Sequence, residues 1–190
     1  MADFVALGFD LAFKYRNPAM ILTDGVIGQM MEKVKLPQQR PLRTEAQIRE
    51  QCPWATLGKT GNRGPNIITS LELNAEKMEE NNIRFQNKYK IIEQEEVIYE
   101  EIQCDDADYL LVAFGSSARI CQKTVDLARA EGIKVGLLRP ITLWPFPTTI
   151  LKEYADKVKG MLTVELNAGQ MVEDVRLAVN GKVPVEHYGR

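Results

Sequence analysis

Four short apolar runs, YLLVAF at 109–114, IKVGLL at 133–138, MLTVEL at 161–166 and VPVEHY at 183–188, follow one another in the C-terminal part of the chain. Each is long enough for a strand and too short for a stable helix, and near-continuous apolarity means burial on both faces. Between them lie stretches with apolar residues at helical spacing: Ala118, Cys121, Val125 and Ala128, then a run from Thr148 or Thr149 to Val158, then Met171, Val175 and Ala178. Gly132, Gly160 and Gly181 punctuate their ends, and Thr148 or Thr149 is expected to cap the middle one. Apolar strands joined by crossover helices close into a parallel sheet covered on both sides. Residues 71–190 are therefore expected to form a three-layer α/β/α domain with a mainly parallel sheet.

The upstream sequence reads differently. In MADFVALGFDLAFKYR, residues Ala2, Val5, Ala6, Phe9, Ala12 and Phe13 share one face of a helix. NPAMILTDG then reads as a short strand closed by Asp24-Gly25, and GQMMEKVKLP as another helical piece before Pro37. One strand cannot close a sheet. Residues 1–36 are accordingly expected to be the end of a domain whose remainder lies outside this sequence, making the chain the C-terminal part of a longer polypeptide. From 37 to 70 the chain is rich in Pro, Gly, Arg, Asn and Thr without periodicity, a linker with Trp54 as its anchor. Asn74 caps a helical run that places Met78, Phe85 and Tyr89 near one face, and Val97 and Tyr99 alternate as in a partly exposed strand.

Composition removes several classes of function. The 190 residues carry a net charge of -2 with the basic residues scattered among acids, which leaves no electrostatic footprint for nucleic acid. No apolar run reaches the roughly 18 residues that span a bilayer, and the N-terminus lacks a secretory layout, so the cytoplasm is the expected compartment. Cys52, Cys104 and Cys121 are far apart and form no C-x-x-C pair, so no disulfide framework or metal site is spelled out. His187 is the only histidine, read as structural or solvated.

In an open parallel sheet the crevice for a ligand or partner lies beyond the carboxyl ends of the strands. Three loops meet there. Gly115, Ser116, Ser117 and Arg119 begin a helix whose free N–H groups suit an anion, although serine at such a place is equally explained by capping. RPITLWPFP, 139–147, sets Trp144 and Phe146 between φ-locking Pro145 and Pro147, as an anchor for a partner or as local core. ELNAGQ, 165–170, ends a strand on Glu165, placed to act in acid–base chemistry, to cap the next helix, or to pair with Arg139.

DADYLLVAFGSSARI, EGIKVGLLRPITLWPFP and VELNAGQMVEDVRLAVNGKVPVEHYGR together resemble the C-terminal, transketolase-C-like domain of the α subunit of 2-oxoacid:ferredoxin oxidoreductases. The likeness is to the branched-chain (ketoisovalerate) type first and the 2-oxoglutarate type next. FVALGFDLAFKYRNPAMILTDGVIGQMMEKVKLP resembles the end of that subunit's thiamine-diphosphate, pyrimidine-side domain. The resemblance implies oxidative decarboxylation of a 2-oxoacid with thiamine diphosphate, coenzyme A and iron–sulfur clusters, in a complex with a thiamine-binding β subunit and with γ and ferredoxin-like δ subunits. It carries no catalytic residue onto this stretch. Arg139, Trp144, Phe146, Glu165, Asn167 and Gln170 are expected to shape the subunit interface, and the Phe9 and Phe13 side of the first helix to be open to self-association. The alternative is a nucleotide- or coenzyme A-binding module with GSSAR as its phosphate loop.

Overall fold

A computed structural model describes residues 1–59, 61 and 64–190; Thr60, Asn62 and Arg63 of the expected linker lie outside the described residues. The chain divides into two compact units, one formed by 1–21 with 32–85 and the other by 22–31 with 86–190.

In the first unit, α1 (Ala2–Tyr15) forms where its periodicity places it. Its apolar face is only partly covered: Ala2, Ala6 and Ala12 are half-buried, while Val5, Phe9 and Phe13 are exposed, Phe9 at 65%. Trp54 anchors its loop as expected, 5.7 Å from Phe13 by ring centroids and under the guanidinium of Arg16. The linker contains a helix that aperiodic reading passes over, α3 (Glu45–Gln51). Thr44 accepts from the N–H of Gln47 while the Gln47 side chain accepts from the N–H of Thr44. This capping box is written in the sequence as T-E-A-Q. α4 (Ala75–Glu95) starts at Asn74, whose Oδ1 accepts from Lys77 N at 3.0 Å.

The strand expected within NPAMILTDG, a segment divided between the two units, does not form. Met20 and Leu22 are exposed; a strand needs a partner for its backbone groups, and among the described residues none pairs with this segment. The following helix is shorter than expected, α2 (Gly25–Gln29), and residues 30–36 are not helical. The remainder is the α/β domain. β1 (Tyr99–Ile102), β2 (Tyr109–Val112), β3 (Val135–Pro140), β4 (Gly160–Val164) and β5 (Val185–Tyr188) form one sheet in the order β1-β3-β2-β4-β5. All neighbours are parallel except β1, which runs antiparallel to β3 at the edge. α5 (Gly115–Ala130) covers one face through Ala118, Cys121 and Val125 against Leu111, Ala113 and Leu137. α6 (Thr148–Ala155) and α7 (Met171–Val179) cover the other, with Leu151, Val175 and Val179 against Leu110, Val112 and Leu138. The expected three-layer, mainly parallel architecture is the one the chain adopts. Among the described residues no helix is long and apolar enough to cross a membrane.

Two details of the helix starts differ from expectation. Neither Thr148 nor Thr149 caps α6; Pro147 holds the N-cap position with its ring buried, and Thr148 is the first helical residue. α5 begins directly at Gly115, after Phe114, without a side-chain cap. Outside the sheet, Arg129 near the end of α5 donates to the carbonyls of Val135 and Gln103 and to Asp106, tying the helix to the strand that follows it. The Tyr154 hydroxyl on α6 donates to Glu101 on β1, and burial together with that carboxylate pushes the phenol well above its usual range.

Gly136 on β3 admits the 103–104 segment against the sheet: a Cβ there would stand 2.9 Å from both Cys104 Cα and Gln103 O. Backbone cannot yield as a side-chain tip can. Gly136→Ala is expected to destabilise the domain by about 1–3 kcal/mol in denaturant unfolding. Gly64→Ala, where a Cβ meets nothing within 4 Å, is expected to change stability by less than about 0.5 kcal/mol.

Candidate functional site

The connections place one end of the sheet as the site. From β2 the chain crosses through α5 to β3 on one side; from β4 it crosses through α7 to β5 on the other. The topological switch point therefore lies between the carboxyl ends of β2 and β4, flanked by the loop after β3. All three loops singled out in the sequence reach this edge.

The loop after β3 is tied down at its start: Ile98 accepts from the N–H groups of Ile141 and Thr142 at 2.9 and 3.0 Å. Pro145 and Pro147 are buried, and the Trp144–Pro145 peptide is cis. The two rings part company beyond that point. Phe146 packs against the core under α6 and α7, which is the local-core reading. Trp144 stays 52% exposed, held edge-on by Tyr89 of α4 at 5.7 Å between centroids and 89° between planes. Aromatic pairs favour this T-shaped arrangement, and it fixes the indole while leaving most of it accessible. Tyr89 as its support was not legible locally, because the partners lie on elements far apart in sequence.

Glu165, at the end of β4, is 4% exposed and acts as a cap. Its carboxylate accepts from the backbone N–H of Met171 at 2.8 Å and Val172 at 3.0 Å, with Gln170 at 3.2 Å and the Asn167 amide at 3.3 Å. Burial opposes the charged form, but these donors outweigh it and hold the carboxyl below its ordinary range. The positive end of α7 adds to the same effect. Of the two structural roles open to it, capping the next helix or pairing with Arg139, Glu165 takes the first. Arg139 sits directly across from Glu100 in the antiparallel β1–β3 pair and bonds it at 2.9 Å. His187 Nδ1 lies 3.6 Å from Glu165, so the lone histidine is part of this supporting layer. Asn167 folds back to accept from Gly169 N at 2.7 Å, and Gly169, at φ +110°, has His187 and Val172 close to where a Cβ would be.

At the third loop, Ser116 does not cap its helix. Its hydroxyl donates to Asp24 Oδ2, a short contact that brings a carboxylate from the start of α2 to the N-terminus of α5. Ser117 is buried and Arg119 exposed. An anion expected at Gly115, Ser116, Ser117 and Arg119 thus meets one the chain already supplies. Of the residues expected at the interface, Glu165, Asn167 and Arg139 are engaged within the domain, while Trp144 and Gln170 face outward. Leu166, 68% exposed beside them, belongs to the same outward set and was passed over as the last residue of an apolar run.

Comparison with known proteins places these observations. Residues 107–190 match the family described as pyruvate:ferredoxin oxidoreductase core domain II. A ketoisovalerate oxidoreductase subunit VorB from Methanothermobacter thermautotrophicus is 44% identical over 94% of this chain and 49% of its own length. A 2-oxoglutarate synthase subunit KorA from Methanothermobacter marburgensis is 30% identical over 97% of this chain and 54% of its own. Among solved structures, the 2-oxoglutarate:ferredoxin oxidoreductase from Magnetococcus marinus with 2-oxoglutarate, coenzyme A and succinyl-CoA bound superposes with a TM-score of 0.55. It covers 63% of this chain and 21% of that one at 21% identity, which establishes likeness of fold. The chain spans about half the length of the curated relatives it matches.

The geometry at Glu165 yields a stability prediction. Its native carboxyl ionises below the ordinary 4.5, so the unfolded chain binds the proton more readily than the native one. The cap's contribution is complete above that ordinary value and is lost as pH falls through the native one. Glu165→Ala is expected to cost about 1–2 kcal/mol near neutral pH. Glu165→Gln should flatten the acid limb of the stability curve, measured by denaturant unfolding between neutral and acid pH.

Proposed function

We propose that the chain, similar over most of its length to ketoisovalerate and 2-oxoglutarate oxidoreductase subunits, is a member of the 2-oxoacid:ferredoxin oxidoreductase family and the scaffold half of an α-type subunit serving oxidative decarboxylation of a 2-oxoacid to an acyl-CoA, with reduction of ferredoxin. The branched-chain oxoacid is the preferred substrate in this reading, supported by 44% identity to a ketoisovalerate subunit against 30% to a 2-oxoglutarate one. Residues 1–36 then belong to the end of the thiamine-diphosphate domain, 37–70 to a linker and 71–190 to the domain that buttresses it. Thiamine diphosphate supplies the carbanion chemistry of such an enzyme when bound. The chain's own residues do not fit the role of holding the redox groups. Among the described residues no cluster of His, Cys, Asp and Glu is arranged to hold a metal. Burial pushes the Cys104 thiol up and that of Cys121 to about 11, which disfavours the thiolate that cluster ligation needs. In this reading the clusters sit on the γ and δ partners, and the cofactor in a site completed by the β subunit.

What this chain contributes is a surface. The observation that carries the reading is Trp144, an exposed indole fixed by Tyr89 and by two buried prolines at the carboxyl edge of the sheet. Rigid aromatics lose little freedom on association and are enriched where subunits meet. Leu166 and Gln170 extend the same edge, and the uncovered Val5, Phe9 and Phe13 side of α1 is assigned to the half of the relatives' length that this chain does not span.

Trp144→Ala in the assembled enzyme is expected to weaken subunit association by about 10- to 100-fold, read by sedimentation, while the melting temperature of the isolated chain stays within a few degrees. Phe146→Ala should instead lower that melting temperature, since its ring is in the core. Assembly unaffected by the Trp144 change would refute the docking role. The 190-residue chain by itself is expected neither to reduce a dye acceptor with a 2-oxoacid nor to bind thiamine diphosphate in calorimetry; either activity would overturn the scaffold assignment.

A further inference from the structure

We propose that Asp24 is a built-in anion that latches the Leu22–Met31 segment onto the carboxyl edge of the sheet, occupying the place that an external phosphate or carboxylate would take at the N-terminus of α5. The two oxygens of Asp24 have separate tasks. Oδ1 accepts from Ile27 N at 2.7 Å and caps α2; Oδ2 accepts from the Ser116 hydroxyl. Those bonds, the Ser116 one foremost, hold the Asp24 carboxyl below its usual range.

The other end of the contact is a helix start that lacks a side-chain cap of its own, as α6 does after Pro147. α7 is capped by Glu165, whereas α5 has no side-chain cap of its own, and its first turn leaves N–H groups and a positive helix end at the switch point of the sheet. A carboxylate from 92 residues away in sequence comes to that end. Leu22, Val26, Met30 and Met31 are exposed, and only Asp24 and Ile27 are half-buried. The residues on either side, 1–21 and 32–85, belong to the other compact unit. A ten-residue stretch with exposed apolar side chains, placed against the domain by one bifunctional carboxylate, is a strap with a single clasp. The latch rests on these contacts alone and stands whether or not the scaffold reading does.

Hydrogen exchange on the 190-residue chain tests it. Ser116→Ala leaves Asp24 free to cap α2 but removes the clasp. The Gly28 and Met30 amides, bonded within the segment, are expected to exchange about tenfold faster or more, as loss of a bond to a charged group implies. The amides of Val112 and Leu138 should keep their protection, showing that the domain remains folded. Asp24→Ala should release the segment at least as far. In the wild-type chain, inorganic phosphate and coenzyme A titrated into the millimolar range should leave the Ser116 and Ser117 amide resonances unmoved. Unchanged exchange at Gly28 and Met30 in both variants would overturn the latch, and phosphate-dependent shifts at Ser116 and Ser117 in the wild type would overturn the occupancy.

Discussion

Leu110, Leu111, Val112 and Ala113 put their side chains alternately into two apolar layers, and every feature of the α/β domain is arranged around that double burial. Fully burying a leucine or valine contributes roughly 1.5–3 kcal/mol, and a strand buried on both faces collects it at every position. β2 is therefore the strand against which β3 and β4 must pair in parallel. Parallel pairing in turn forces crossovers that bring the ends of β2, β3 and β4 to one edge. The site follows from this constraint: the three loops gather because the strands before them point the same way.

Charge at that edge is used internally. Glu165 satisfies the start of α7 through backbone N–H groups, and Asp24 reaches the first turn of α5 through the Ser116 hydroxyl. A buried carboxylate is tolerable only when its hydrogen bonds are complete, and Glu165 meets that condition with three backbone donors and an amide. An edge whose anions are already paired has little left to offer a small polar ligand. It presents instead Trp144, Leu166 and Gln170, side chains suited to another protein surface.

Much of this was legible in the sequence where the signal is local. The apolar runs located β2, β3, β4 and β5 within a residue or two, and Asn74 located the start of α4. The T-E-A-Q box marks the start of α3 locally, although the sequence around it has no apolar period. The strand expected at 17–24 failed for the opposite reason: its apolar residues fit a strand, but a strand exists only beside another, and among the described residues no neighbour pairs with it. Thr148 had the chemistry of a cap and lost the position to Pro147, whose locked φ suits the entry to a helix equally well.

The site divides along the same line. From the sequence alone came the edge at which the loops converge and the residue types that line them, because side-chain periodicity reports burial and burial dictates strand direction. Only the tertiary structure decided the pairings. Arg139 meets Glu100 through antiparallel register, Trp144 leans on Tyr89 while Phe146 turns into the core, and Ser116 takes Asp24. Such choices depend on which distant elements arrive at the same place, and no local pattern of apolar and polar residues encodes that arrival.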